Sequence, residues 1–229
     1  MFYNYISYFY RYMKGDDAMS DLKKLVSTKQ LERYPIYLNH LIALKKEGKI
    51  NTSAPQIAAV LGYSEEQVRK DLQIVTKNSG KPKAGRVVDE LIHDINEFLG
   101  YGDMTGAVII GCGHLGEAFL KYEGFTEYGL EILAGFDVAS KKINKVLNGK
   151  KIYSMTNLEK IIKQLNVKIA IITVPAEAAQ GVVDRLVKVG INGIWNFANV
   201  HISVPENVVL ETVNLASSLA VLSHKLTDK

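Results

Sequence analysis

The chain has 229 residues, 47% of them apolar, a formal net charge of +4 and a single cysteine. Such a length buries the core of one large or two modest domains. One cysteine excludes a disulfide framework and a cysteine-cluster metal site and fits a reducing cytoplasm, and no apolar run reaches the roughly 18 residues that span a bilayer. The charge is unevenly spread: residues 20–86 hold thirteen Lys/Arg against six acids, +7, leaving −3 elsewhere. The first half is expected either to meet a polyanion or to present a solvated lysine-rich surface.

Residues 1–19 are an aromatic extension, with Tyr3, Tyr5, Tyr8, Tyr10 and Tyr12 at a period near two. The extension has no leading basic region and is interrupted by Arg11, so it makes a poor signal peptide. Composition changes abruptly at Met19, the expected biological start; the alternative is an aromatic arm that packs on a partner.

From Ser27 the pattern is helical. Thr28 is expected to cap a first helix carrying Leu31, Tyr34 and Ile36, with Pro35 in a first turn or at a restart. Tyr37, Leu38, Leu41, Ile42 and Leu44 continue an apolar stripe to Gly48. Thr52 and Ser53 open a short helix that Gly62 closes, and Ser64 with Gln67 forms a capping box for a helix over 65–75. Three short helices with a tight glycine turn between the second and third have the layout of a helix-turn-helix. The last of these would offer Gln67 to a base edge and Arg69 and Lys70 to phosphates. Helical periodicity alone equally fits a small bundle with a charged face. Residues 76–86 are basic and rich in turn formers, so they read either as the wing of a winged helix, with Lys81, Lys83 and Arg86 near a DNA backbone, or as a loop. A helix over 87–99 and a linker at 100–103 complete a domain at 20–100.

Residues 104–213 alternate strand and helix, as a parallel sheet covered on both faces does. Strands are expected at 107–110, 131–136, 168–174, 193–197 and 207–211, and helices at 115–122, 157–165, 177–188 and 214–226, with Thr156 capping the second. The fold class is therefore α/β: a winged-helix domain followed by a Rossmann, doubly wound parallel sheet.

The first strand of that sheet runs into Gly111-Cys112-Gly113-His114-Leu115-Gly116. Gly111 permits a tight turn, Gly113 admits a pyrophosphate to the backbone, and Gly116 lets the helix pack against the strand. The helix start supplies free N–H groups and the positive end of its dipole. Asp137, about 20 residues on, is placed to accept from the adenosine ribose hydroxyls, which favours NAD(H) over a 2′-phosphorylated dinucleotide. Lys141 and Lys142 either attract a phosphate or simply stand exposed. Thr173-Val174-Pro175 and Asn196-Phe197 end later strands at the carboxyl edge, where Phe197 would wall a ring and Asn196 would offer an amide, unless both are packing residues. Cys112 reads as a small buried residue. His114, His201 and His224 are scattered, and neither a catalytic constellation nor a metal set is found.

In sum these residues resemble the Rex family of NADH-sensing bacterial repressors: Gln67-Val68-Arg69-Lys70-Asp71-Leu72, the glycine turn with Tyr122, Phe136-Asp137, Thr173-Val174-Pro175-Ala176 with Ala179-Gln180, and Asn196-Phe197-Ala198. The resemblance implies a homodimer that binds operator DNA and releases it on binding NADH, no catalysis, Tyr122 among the cofactor residues, and a last helix at 214–229 swapped onto the partner subunit. Leu215, Leu219, Leu222 and Leu226 give that helix a stripe in need of burial. Three departures stand out: a lysine-rich wing with Pro82 in place of a glycine-rich one, Asn39 where the family tends to carry Arg, and Asn214 where it tends to carry Asp. The alternatives are a nucleotide-binding paralogue with lost or weakened DNA binding and a small NAD-dependent oxidoreductase.

Overall fold

A computed structural model describes residues 26–76, 85–101 and 104–227. The chain divides into two compact units, residues 1–102 and 103–229.

The first unit is helical. Helix α1 (Thr28–Leu31) is capped by Ser27, whose Oγ accepts from the Gln30 N–H at 3.3 Å, so the cap lies one residue before the expected Thr28. The chain restarts at once as α2 (Arg33–Lys46), with Pro35 in its first turn, where a missing N–H costs nothing. A two-residue strand β1 (Asn51–Thr52) precedes α3 (Ala54–Leu61), so Thr52 is a strand residue and Ser53 alone takes the cap position. Gly62, at φ +72°, closes α3, and α4 (Glu65–Val75) follows three residues later. Ser64 Oγ accepts from the Gln67 N–H at 3.2 Å, as the capping box predicts. Strand β2 (Arg86–Val87) pairs antiparallel with β1 and leads into α5 (Val88–Leu99). Tyr34, Tyr37 and Leu41 of α2, Ile57 of α3, Val68 and Leu72 of α4, and Leu91, Ile95 and Phe98 of α5 share one core. This is the expected helix-turn-helix with a short β ladder at the base of the wing. The wing residues Lys81, Pro82 and Lys83 lie outside the described residues, as does the aromatic extension.

The second unit is a seven-stranded sheet of order β5-β6-β4-β3-β7-β8-β9. Its strands are β3 (Thr105–Ile110), β4 (Leu130–Asp137), β5 (Val146–Leu147), β6 (Lys150–Ser154), β7 (Ile169–Ile172), β8 (Gly193–Asn196) and β9 (Val209–Thr212). All pairings are parallel except the β5–β6 hairpin. The five expected strands are present, and the hairpin at 146–154 is additional. Within its strands Ile152 alone is buried, so the apolar alternation that marks a strand is faint there. Along β3, Ala107, Val108, Ile109 and Ile110 are all buried, since alternate residues feed two cores. One core lies under α7 (Leu158–Leu165) and α8 (Ala176–Lys188), the other under α6 (His114–Lys121) and the aromatic residues Phe119, Phe125, Trp195 and Phe197. Helix α7 takes Asn157 as its cap rather than Thr156, because Met155–Asn157 form a 3₁₀ turn that Ser154 caps through the Thr156 N–H.

The last helix, α9 (Leu215–Thr227), begins at Asn214, whose Oδ1 accepts from the Ser217 N–H at 3.1 Å. Leu219, Val221, Leu222 and Leu226 are each more than half exposed, and the Leu215 side chain lies outside what is described. Among the described residues no helix is long and apolar enough to cross a membrane.

Candidate functional site

The sheet reverses its winding direction between β3 and β7, and the loops leaving the carboxyl ends of these two strands meet at this switch point, where open α/β sheets bind their ligands. The glycine turn lies there. Gly111 has φ +92°, and a Cβ on it would lie 2.8 Å from the Thr173 carbonyl oxygen and from Val174 Cγ1. A Cβ on Gly116 would lie 2.1 Å from the Gly111 oxygen, so helix α6 meets the turn only because this residue is glycine. Beside Gly113 there is nothing within 4 Å of that position, which leaves room for a phosphate group at a helix start that no side chain caps. His114 and Leu115 stand exposed on the first turn of α6. Thr173 Oγ1 donates to the Gly111 oxygen at 2.6 Å and ties the two loops together. Pro175 caps α8 without a side-chain bond, so a second helix start opens near the same edge.

Asp137 closes β4 and accepts from two backbone N–H groups, Cys112 through Oδ2 and Ala139 through Oδ1, each at 2.8 Å. Each carboxylate oxygen keeps a lone pair for a further donor, such as a ribose hydroxyl. The Lys142 ammonium donates to the Cys112 oxygen and lies 3.4 Å from Glu117 Oε1, so its charge is engaged across the turn rather than displayed to solvent. Cys112 is fully buried with Sγ 3.5 Å from the Phe136 oxygen; burial, with the Asp137 charge adding, pushes its thiol up to about 12. It is a packing residue of the turn, and Gly135 makes space for it, since a Cβ there would come within 2.7 Å of Sγ.

The strand-end residues separate into two roles. Asn196 is fully buried: its Nδ2 donates to the Val200 oxygen at 3.2 Å and its Oδ1 accepts from the Ala198 N–H at 2.9 Å, so its amide shapes the loop instead of facing a ligand. Phe197 is half-buried, with ring centroids 4.8 Å from Trp195 and 4.9 Å from Phe119. Tyr122 falls beyond the far end of α6, about 13 Å along the helix from Gly113, and packs on Phe125. Within this chain it is not brought to the glycine turn, because a helix of this length carries its last residue away from its first. Gln180 holds the loop at Ser203 through a reciprocal pair of bonds, 2.9 and 3.0 Å.

On α4 the Arg69 guanidinium is paired with Glu65, and Lys70 with Glu66 at 2.7 Å. The Lys70 hydrogen bond holds the Glu66 carboxyl below the usual carboxylate range. Arg69 and Lys70 are exposed and can turn from these carboxylates to phosphates, because exposed i, i+4 pairs are weak. Arg86 departs from its expected place near a DNA backbone: it is half-buried, and its Nη1 donates to Thr76 Oγ1 at 2.6 Å, which joins the two ends of the wing segment. Thr76 in turn donates to the Leu72 oxygen at 2.7 Å.

One arrangement escaped the sequence reading. Asp71, on the same arc of α4 as Val68, Leu72 and Val75, is buried and takes a two-pronged bond from Arg33, Nε to Oδ2 at 2.6 Å and Nη2 to Oδ1 at 2.8 Å. Tyr37 donates to Oδ2 at 2.7 Å, and the Tyr34 hydroxyl donates to the Asp71 backbone oxygen at 3.0 Å. Burial pushes both tyrosine hydroxyls up, and the Asp71 bond raises Arg33 further. An acid on the apolar arc of an amphipathic helix was the available signal. Gln67, half-buried, lies beside the same guanidinium.

Residues 26–73 match a family model described as "Putative DNA-binding protein N-terminus" and residues 103–200 one described as "CoA binding domain". A redox-sensing transcriptional repressor Rex of Treponema denticola is 39% identical over 208 residues, 90% of this chain and 98% of the relative; that of Bacteroides fragilis is 37% identical over 86% and 89%. Among solved structures, RSP, a Rex-family repressor, in complex with β-NAD+ and operator DNA superimposes with a TM-score of 0.83 at 30% identity, covering 89% of this chain and 93% of that one. The same protein in complex with β-NADH gives 0.80, over 89% and 95%.

Proposed function

Because this chain belongs to the Rex family of redox-sensing transcriptional repressors, we propose that it binds operator DNA as a homodimer in the cytoplasm and releases it when NADH binds. The observation that carries the reading is the glycine turn at the sheet's switch point, with open space at Gly113 and the Asp137 carboxylate beside it, in the same chain as a helix-turn-helix.

Gly111, Gly113 and Gly116, with the backbone of Cys112, His114 and Leu115, would cradle the pyrophosphate, which Thr173, Val174 and Pro175 would flank. Asp137 would accept from the ribose hydroxyls and repel a 2′-phosphate, so NADH is favoured over NADPH. Phe197 offers the cofactor an aromatic wall. Bound NADH supplies the redox signal, and the chain binds it without turning it over. Gln67, Arg69 and Lys70 would enter the major groove, with Lys81 and Lys83 on flanking phosphates. The exposed apolar side chains of α9 are those a second subunit would bury. NADH can shift the equilibrium between DNA-bound and released dimers only by binding the released form more tightly.

The test is an anisotropy titration of a labelled duplex from the chain's own upstream region, with and without NADH. Binding at low salt that NADH weakens at least tenfold supports the reading; absence of binding at 50 mM salt overturns it. Trp195, the single tryptophan, stands beside Phe197 and reports NADH binding through its fluorescence.

A further inference from the structure

Helix α4 ends at Thr76, and the chain returns beside that end ten residues later, at Arg86 of β2. The two ends are joined through one hydroxyl. Thr76 is only 9% exposed; its Oγ1 donates to the Leu72 oxygen at 2.7 Å and accepts from Arg86 Nη1 at 2.6 Å. A hydroxyl that donates on one side and accepts on the other relays the guanidinium to the last turn of α4. Arg86 is itself held from the strand side. It stands opposite Thr52 in the β1–β2 ladder, and a Cβ on the preceding Gly85 would lie 2.4 Å from the Thr52 oxygen, so the two strands have no slack between them. Burial lowers the pKa of the Arg86 guanidinium, and the charge of Asp94, on α5, opposes that shift. A cation drawn inward in this way is turned from a phosphate. It does, however, fix where α4 ends relative to the ladder that leads into α3, the other helix of the turn.

We infer that Arg86 serves operator binding as a positioning residue: through the Thr76 hydroxyl it locks the carboxyl end of α4 to the β1–β2 ladder, so that the recognition helix is preset for the groove, and it makes no phosphate contact itself. The inference rests on the DNA-binding reading above. A helix held in its binding orientation before the encounter spends less of its contact energy on ordering.

The test uses the full-length chain and a labelled duplex that the wild type selects from a randomised pool. Anisotropy titrations are run at several salt concentrations, and circular dichroism verifies that each variant is folded. Arg86→Met and Thr76→Val should each weaken binding about five- to tenfold. The double variant should bind no worse than either alone, because both substitutions break the same link. The slope of log K against log salt should stay at the wild-type value in all three, since each phosphate contact adds about 0.9 to it and none is lost. Thr76→Ser keeps the hydroxyl and should keep wild-type affinity. A slope smaller by about 0.9 in Arg86→Met, with Thr76→Val binding as wild type does, would make Arg86 a phosphate contact and overturn the inference. Unchanged affinity in both folded variants would reduce the link to a stability element and overturn it too. In either case the wild type still binds and the repressor reading stands, whereas a wild type that selects no duplex overturns both. Thr76→Val is nearly isosteric, so its affinity and slope decide the matter even if Arg86→Met does not fold.

Discussion

Each unit of this protein is built around one carboxylate, and the two are used in opposite ways. Asp71 is sealed in the helical core with every strong partner on other side chains: both Arg33 prongs and the Tyr37 hydroxyl. Asp137 sits half-buried at a strand end with backbone N–H groups as its partners, and each of its oxygens can still accept from outside. The first acid is a post that aims a recognition helix; the second keeps capacity for a ligand. Burial decides the difference, since a buried charge must be fully paired within the fold, whereas one at an open strand end can wait for its last partner.

Breaking the first post should have the largest effect. Asp71→Ala strands the Arg33 guanidinium without its partner, and loss of one member of a buried pair costs about 3–5 kcal/mol. The helical unit should unfold at markedly lower denaturant in circular dichroism while NADH titration through Trp195 is unchanged. Parallel loss of both would contradict the separation drawn here. Next in size is Gly116→Ala, whose Cβ would meet the Gly111 oxygen; overpacking of about 1–3 kcal/mol should raise the NADH dissociation constant roughly ten- to hundredfold. DNA affinity without NADH should hold.

Asp137→Asn sharpens the other half of the comparison. An amide can accept from one of the Cys112 and Ala139 N–H groups but turns its own N–H toward the other, and it no longer repels a 2′-phosphate. NADH affinity should fall about five- to thirtyfold, a cost of about 1–2 kcal/mol, and the preference for NADH over NADPH should narrow in the same titration.

The smallest effect at neutral pH is expected from Cys112→Ser, and its signature is pH-dependent. The folded thiol is held up to about 12 while the unfolded one titrates near 9, so the native state retains a proton that the unfolded state gives up. Stability tied to this proton is complete below pH 9 and is lost as pH rises toward 12. Tyr34 and Tyr37 are shifted in the same direction in both proteins, so the difference between wild-type and Cys112→Ser denaturation curves from pH 9 to 12 isolates the thiol. Identical slopes would mean that Cys112 is not sealed behind the turn.

Much of this site was legible from local pattern. Gly62 and Ser64 bracket the turn between α3 and α4, and the glycines at 111, 113 and 116 do their work within a few residues of one another, so spacing alone predicts both. Gly111 and Gly116 also meet contacts that spacing could not name, the Thr173 loop and the turn's own oxygen. The β5–β6 hairpin was hidden because only Ile152 is buried in it. Tyr122, a cofactor residue only by resemblance, lies away from the turn within this chain because eight helical residues separate the two. For Asn196 and Arg86 the sequence left a ligand-facing role and a packing or loop role open, and both side chains are bonded within their own loops.

The sequence by itself determined the division into a basic helical part and an α/β part, the glycine turn with its acid, and the family to which the chain belongs, because each rests on local periodicity or on residues at short spacing. Only the tertiary structure decided which polar residues are committed within the fold. Arg33 and Asp71 are 38 positions apart, Cys112 and Asp137 25, and Gly111 and Thr173 62. Whether a carboxylate, an amide or a guanidinium has capacity left for DNA or a dinucleotide depends on partners brought from that distance, and hydrogen-bond valence is exhausted in space, not along the chain.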